Sequence, residues 1–299
     1  MKIAAFNIQK FGQKKVSDAI ILNHLVQIIS RYDIIVILEV VDETGKAVDV
    51  LMNALNKEHR YEKQISTRLG RTGYKEQFLI LYRAGLVTLK DLYQSDDMRT
   101  QGQDDINRDP YILRFSCPNT VLEDLVMIPV HITPKGAENE LDKLYDLFLH
   151  IQKEWKTDNV MILGDFNADG PYVTKKEMKT IRIRNNKNFH WLIGDDVDTT
   201  VSTKNTNSYD RIVVYGDKML QAVVKNSAKA FNFQEEYKLS NEQALDISDH
   251  YPVEVELLGK TDGVGGLKKK VEELSVKEKK PKDEKKNPAA EKGKGKPGE

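Results

Sequence analysis

Val160-Met161-Ile162-Leu163-Gly164-Asp165-Phe166-Asn167 runs four apolar residues straight into a glycine, a carboxylate and an amide. A short unbroken apolar run reads as a strand buried on both faces. The polar residues that follow then stand at its carboxyl end, where α/β proteins gather their chemistry. Gly164 would let the backbone approach a ligand closely. Working outward, the pattern recurs. Ile34-Ile35-Val36-Ile37-Leu38 leads into Glu39, and Leu125-Val126-Met127-Ile128-Pro129-Val130 leads into His131. In Ile247-Ser248-Asp249-His250-Tyr251-Pro252 a carboxylate and an imidazole precede a further β-type run.

Residues 3–7, 77–82, 111–115, 211–214 and 253–258 also read as strands. Apolar residues at helical spacing (Ile20, Leu22, Leu25, Ile28) predict a helix within 16–29, and others are expected over 48–55, 138–155, 175–181 and 241–244. The strands outnumber those of one doubly wound sheet. Two stacked sheets flanked by helices, an α/β class, account for them better.

Hydrophobic residues make up 39% of the 299, enough for a real core. No apolar run approaches the roughly 18–20 residues of a membrane span. Cys117 is the only cysteine, so no internal disulfide is expected, and there is no Asn-x-Ser/Thr sequon. Met1 to Asn7 lacks a secretory h-region, so the sequence reads as a cytosolic product or a mature form without its leader. The 46 basic and 46 acidic groups are unevenly spread: residues 260–299 hold 13 Lys against 8 acids, which leaves the preceding body at −5. Gly263-Val264-Gly265-Gly266 reads as a hinge, and the Lys/Glu/Pro/Gly-rich stretch after it as a disordered basic tail. The expected organisation is a domain over 1–259 and a tail over 260–299. The tail is either an electrostatic tether or nuclear-localisation signal (Lys268-Lys269-Lys270, Lys279-Lys280-Pro281-Lys282) or a solubilising extension.

Glu39, Asp165, Asn167 and Asp249 offer hard oxygens suited to Mg²⁺, Mn²⁺ or Ca²⁺, and thiolates are missing. His131 and His250, each at a strand terminus, suit an acid and a base. A cation, a base and an acid together fit phosphodiester hydrolysis.

The segments 2–8 (Lys-Ile-Ala-Ala-Phe-Asn-Ile), 69–76 (Leu-Gly-Arg-Thr-Gly-Tyr-Lys-Glu), 164–169, 208–213 (Ser-Tyr-Asp-Arg-Ile-Val) and 248–252 occur in an order that resembles the deoxyribonuclease I family and its gamma-type paralogues, of the endonuclease/exonuclease/phosphatase superfamily. The resemblance spans residues 2 to about 258. It implies a four-layered α/β sandwich of two packed central sheets flanked by helices. It implies a metal-dependent endonuclease that cuts double-stranded DNA, with little sequence preference, to 5′-phosphate and 3′-hydroxyl ends. Glu76 with His131 and Asp210 with His250 would be the proton-transfer pairs, and Glu39, Asp165 and Asp249 the ligands of Mg²⁺ or Mn²⁺. Asn7, Asn167 and Tyr209 would hold the scissile phosphate, and Arg108 and Tyr74 would contact DNA. Structural Ca²⁺ is implied at Asp198 and Thr200, and at Asp97, Asp104 and Asp109. A monomer is implied, as is secretion, with a cytoplasmic or nuclear protein as the alternative.

The sequence departs from this family at several points. Arg99, Gly102, Gly170 and Asn207 occupy regions where two loop disulfides would lie, so those loops must rely on Ca²⁺ or packing. Gln9 and Val41 stand where minor-groove arginines are expected, and Lys63 replaces an aromatic of the actin-contacting strand, so tight actin binding is not expected. Two other readings stay open on sequence grounds: the same chemistry on abasic DNA, inositol phosphates or sphingomyelin, and an inactive binding module.

Overall fold

The computed structural model describes residues 1–94, 106–204 and 206–260. Its strands are β1 (Lys2–Phe11), β2 (Ile34–Val40), β3 (Tyr61–Ile65), β4 (Gln77–Arg83), β5 (Thr88–Gln94), β6 (Tyr111–Cys117), β7 (Glu123–His131), β8 (Val160–Asp165), β9 (Phe189–Trp191), β10 (Asp210–Tyr215), β11 (Lys229–Ala230) and β12 (Val253–Glu256). Its helices are α1 (Gln13–Ser17), α2 (Ala19–Ile29), α3 (Lys46–Leu55), α4 (Ala137–Trp155), α5 (Arg182–Asn185), α6 (Gly216–Ala222), α7 (Phe233–Glu236) and α8 (Asn241–Ile247).

The strands form two six-stranded mixed sheets, ordered β11-β12-β1-β2-β4-β3 and β5-β6-β7-β8-β10-β9. Strand alternation explains why so many strands are apolar on both faces. Ile3, Ala5, Val36 and Leu38 join Leu113, Met127, Leu163 and Ile212 in one buried cluster shared by both sheets. Their neighbours Ala4, Phe6, Ile35 and Ile37 pack instead with Leu25, Ile28, Val48 and Leu51 of α2 and α3. On the second sheet Val126, Ile128 and Ile162 pack with Leu141, Leu144 and Phe148 of α4. Helix, sheet, sheet and helix thus make the four layers expected from the sequence.

The expected helix over 16–29 is two helices. Asp18 ends α1 and caps α2, its Oδ1 accepting from the Ile20 and Ile21 N–H groups at 2.8 and 3.1 Å. The helix expected over 175–181 shrinks to a single 3₁₀ turn, Glu177–Lys179. Thr174 caps that turn: it donates its N–H to the Glu177 carboxylate at 2.7 Å, and its hydroxyl accepts from Glu177 N at 3.2 Å. The sequence reading missed β3 and β5, whose exposed and half-buried positions and polar residues mask the period-two signal, and the short β9 and β11.

Candidate active site

Register on the second sheet assembles the core of the site. Parallel pairing of β7 with β8 sets His131 beside Asp165, and antiparallel pairing of β8 with β10 sets Asp165 beside Asp210. Three residues 34 and 45 positions apart in sequence therefore stand side by side on adjacent strands. Gly164 makes this possible in a way the sequence did not reveal. Its φ is +140°, and a Cβ there would fall well inside van der Waals contact with the Val130 carbonyl oxygen and 3.0 Å from its carbon. The close approach seen here is to the neighbouring strand.

The first sheet supplies the opposite wall. Parallel β1 and β2 lose register between Asn7 and Phe11. There Lys10 and Glu39 take left-handed φ values of 51° and 58°, and Lys10 N donates to Glu39 Oε2 at 3.0 Å. The Asn7 amide nitrogen donates to Glu39 Oε1 and to Asp165 Oδ2, both at 3.1 Å, and so stitches the two sheets together. The segment after α8 is docked on β1: Ser248 Oγ donates to the Asn7 carbonyl at 2.6 Å and accepts from His250 N at 3.1 Å. Buried Lys15 donates its ammonium to the carbonyls of Asp246 and Ile247 at 3.1 and 2.6 Å, which holds the end of α8. Gln9 Nε2 donates to Asp249 Oδ2 at 2.8 Å.

Two histidine–carboxylate dyads converge on one oxygen. His131 Nδ1 lies 2.5 Å from Glu76 Oε1 and its Nε2 lies 3.7 Å from Asp165 Oδ2. His250 Nδ1 lies 2.7 Å from Asp210 Oδ2 and its Nε2 lies 3.8 Å from the same Asp165 oxygen. Each carboxylate engages Nδ1 and leaves Nε2 facing the site, the arrangement that fixes a tautomer. Burial disfavours the imidazolium of His250, but the Asp210, Asp165 and Asp249 carboxylates outweigh it and push its pKa up to about 10. Burial raises Asp210 as well, and Asp165 adds to it despite the opposing pull of His250. Both shift upward because this buried cluster carries more negative charge than its own cations balance. On the other side, burial of His131 is outweighed by the Glu76 hydrogen bond and charge, so its value is raised. Burial would raise Glu76, yet His131 and Arg108 hold it below the usual carboxylate range.

The remaining expected residues fall at varied depths. The Tyr209 ring lies beside His250, with centroids 6.4 Å apart, and Tyr172 lies 5.3 Å from Tyr209. Asn167, at φ 45°, donates its amide to the Ile132 carbonyl at 2.8 Å. Tyr74 is half exposed at the rim, its phenol raised by burial and by the nearby Glu39 and Glu76 carboxylates. Arg108 turns inward: its Nε lies 2.6 Å from Glu76 Oε1, and its Nη1 donates to the His131 carbonyl at 2.8 Å. Asp198 Oδ1 accepts from Thr200 N, Thr200 Oγ1 and Asn207 N at 3.0, 2.8 and 3.2 Å. Asp97, Asp104, Arg99 and Gly102 lie outside the described residues, as does the sequence from 261 onward. Gly170 and Asn207 do face each other, since a Cβ on Gly170 would sit 2.7 Å from Asn207 Oδ1. Hydrogen bonds replace the cross-link there, with Ser208 N donating to Asp169 Oδ2 at 2.8 Å.

The sequence reading did not find Ser248, Lys15 or buried Glu140 as supports. Glu140 accepts from the N–H groups of Asn107 and Thr133 at 3.1 and 3.0 Å and so ties down the segments bearing Arg108 and His131. Lys15 and Glu140 carry no signal in the sequence because they act on the backbone of other segments, whereas Ser248 lies within the segment 248–252 already singled out and its bond to Asn7 is what the sequence does not show.

The donor set fits a divalent cation. Ligand atoms of Asp165, Asp210 and His250 lie within 4.8 Å of one another. Among the described residues, the buried Asn7 Oδ1, Asp210 Oδ1 and Asp249 Oδ1 have no hydrogen-bond partner, an arrangement that is costly unless something positive faces them. Glu39 joins this set from the far side of the Asn7 amide. No helix among the described residues is long and apolar enough to cross a membrane.

Residues 4–250 match the model of the Endonuclease/Exonuclease/phosphatase family. The chain is 46% identical over 260 residues to Deoxyribonuclease-1 of Oryctolagus cuniculus, covering 86% of this chain and 92% of that protein. It is 41% identical over 261 residues to Deoxyribonuclease gamma of Homo sapiens, covering 86% of each. Among solved structures, a humanized D. rerio TDP2 superposes with a TM-score of 0.59 at 13% identity, covering 85% of this chain and 97% of that one. A mannosyl-6-phosphatase of Bacteroides thetaiotaomicron superposes with a TM-score of 0.58 at 14% identity, covering 86% and 99%. At such identities the structures share the fold alone.

Proposed function

The chain belongs to the endonuclease/exonuclease/phosphatase family, in its deoxyribonuclease I branch, and from that premise we propose how this site hydrolyses the phosphodiester bonds of double-stranded DNA. The observation that carries the reading is the convergence of both imidazole Nε2 atoms on Asp165 Oδ2, at 3.7 and 3.8 Å. A phosphate placed between them meets one group to take a proton from water and another to give one to the leaving oxygen. Asp210 and Glu76 hold the two imidazoles in the tautomer this needs and stabilise each when charged. The enzyme is a divalent-metal-dependent deoxyribonuclease. We assign Mg²⁺ or Mn²⁺ to Glu39, Asp165 and Asp249, with Asp210 and His250 close by. The cation, when bound, neutralises charge on the phosphoryl oxygens. Asn7, Asn167 and Tyr209 then orient the phosphate, and exposed Tyr74 meets the DNA at the rim. Arg108 acts on Glu76 and His131 more directly than on any groove. We assign structural Ca²⁺ to the loop of Asp198 and Thr200 and to the set Asp97, Asp104 and Asp109. The catalytic domain is taken as 1–259, monomeric, with the Lys-rich stretch 260–299 as an added polyanion contact.

The test is nicking of supercoiled plasmid by the purified protein with Mg²⁺ plus Ca²⁺, with EDTA, and with His131→Ala or His250→Ala. Relaxed and then linear plasmid is expected with metal, and little product with EDTA or either variant. Intact plasmid after treatment with folded, metal-loaded protein would remove this reading in favour of a phosphoesterase acting on another substrate.

A further inference from the structure

Beside the site lies a surface that the catalytic reading leaves unused. Between Tyr172 and Phe189 the chain carries six basic residues and a single acid, Glu177, in a body whose net charge over residues 1–259 is −5. The charges divide into two groups. Arg182 is consumed by α4, with its Nη1 2.8 Å from Asp146 Oδ1 and its Nη2 2.8 Å from Asp142 Oδ2. Arg184 pairs with Asp195 at 2.8 Å and lies over the Trp191 ring at 4.8 Å. The other four, Lys175, Lys176, Lys179 and Lys187, are exposed. None of these four takes part in an ion pair among the described residues. The one acid among them is engaged by backbone, its carboxylate accepting the Thr174 N–H at 2.7 Å.

The platform is held firmly. Thr180 Oγ1 donates to Glu138 Oε1 at 2.6 Å, and Arg182 forks onto two carboxylates of the same helix. It is also close to the chemistry. Tyr172, three residues before Lys175, packs its ring 5.3 Å from Tyr209, which in turn lies 6.4 Å from His250. Unpaired cations on a braced turn cost self-repulsion unless a polyanion shares them, and the rest of this body repels one.

We propose that the lysines at 175, 176 and 179 form a second contact surface for the phosphate backbone of duplex DNA, flanking the scissile bond and not touching it; Lys187 lies beside the start of α6, at the other end of β10, and is not part of it. This rests on the nuclease reading and specifies how the substrate is held. Such contacts add affinity and salt dependence without sequence preference.

The experiment measures binding of a labelled 30-base-pair duplex by fluorescence anisotropy in EDTA, from 50 to 200 mM salt. It compares the full chain with Lys175→Glu/Lys176→Glu, with Lys175→Gln/Lys176→Gln, and with Lys218→Glu/Lys225→Glu. The last pair makes the same charge change from α6 onward, beyond the opposite end of β10. Two lost phosphate contacts should lower the slope of log affinity against log salt by about 1.8, so that the ratio of variant to wild-type Kd falls about twelvefold across that range. The glutamine pair should show a loss in the same direction and the remote pair little change. An unaltered slope in the 175/176 pairs, or an equal loss in the remote pair, would overturn the proposal. Plasmid nicking by the wild type is scored separately. Binding that depends on these lysines without any nicking would sink the nuclease reading alone.

Discussion

Gly164→Ala tests the link between strand packing and chemistry most directly. At φ +140° an alanine is strained by on the order of 1–3 kcal/mol. Its methyl also runs into the Val130 carbonyl, and the carbon behind that oxygen would be 3.0 Å away. A carbon–oxygen contact relaxes near 3.3–3.6 Å, so β7 and β8 must part by on the order of 1 Å. Overpacking of this kind costs about 1–3 kcal/mol more. A total of about 4 kcal/mol corresponds to a fall in Tm of roughly 8–16 °C for a domain of this size. Because Val130 and Gly164 precede His131 and Asp165 in the same register, the same displacement opens the 3.7 Å gap between Nε2 and Oδ2. A misplacement of about 1 Å can cost on the order of a hundredfold in rate. Urea unfolding followed by fluorescence gives the stability, and plasmid nicking below the new Tm gives the rate. A variant with wild-type midpoint and rate would show that β7 and β8 do not depend on this close approach.

Three further outcomes follow from the same geometry. Asp210→Asn removes the carboxylate 2.7 Å from His250 Nδ1, and kcat for DNA cleavage should fall about 10²–10⁴-fold with the fold intact; a loss under tenfold would deny Asp210 its orienting role. For the metal-free protein, the lowered Glu76 value gives stability that is present above the ordinary carboxylate range and lost as pH falls through the folded value. The raised His131 value gives stability that is full below the ordinary imidazole range and lost as pH rises through the folded one. The Tm gap between wild type and Glu76→Gln in EDTA should therefore be widest between about pH 4.5 and 6.5 and narrower at pH 9; a gap independent of pH would argue against the coupling. Arg211, 1% exposed, donates to the carbonyls of Ser208 and Ile193 at 2.7 and 2.9 Å and to Asp195 at 2.8 Å. Arg211→Lys cannot reproduce that fork and should cost about 3 kcal/mol in a urea titration, whereas an unchanged midpoint would make those bonds dispensable.

Much of this was legible along the chain. The apolar runs ending at Leu38, Val130 and Leu163 announced doubly buried strands, and the polar residues after them announced where chemistry gathers, because a strand with two covered faces has no other place for a charge. The ordered segments around Asn7, Glu76, Asp165, Tyr209 and His250 pointed to the branch of the family. What local pattern gave less well were polar edge strands such as β3, whose alternation is faint, and the length of the turn at Glu177, which starts with reciprocal Thr174–Glu177 bonds yet ends at Lys179. The sequence by itself determined which side chains can bind a cation and move protons, since that is a property of residue type. Tertiary structure alone decided that His131, Asp165 and Asp210 stand in register, that Arg108 braces Glu76, and that Gly164 yields to a neighbouring carbonyl. Those relations depend on pairing between segments far apart in the chain, and no local pattern encodes a distance across two sheets.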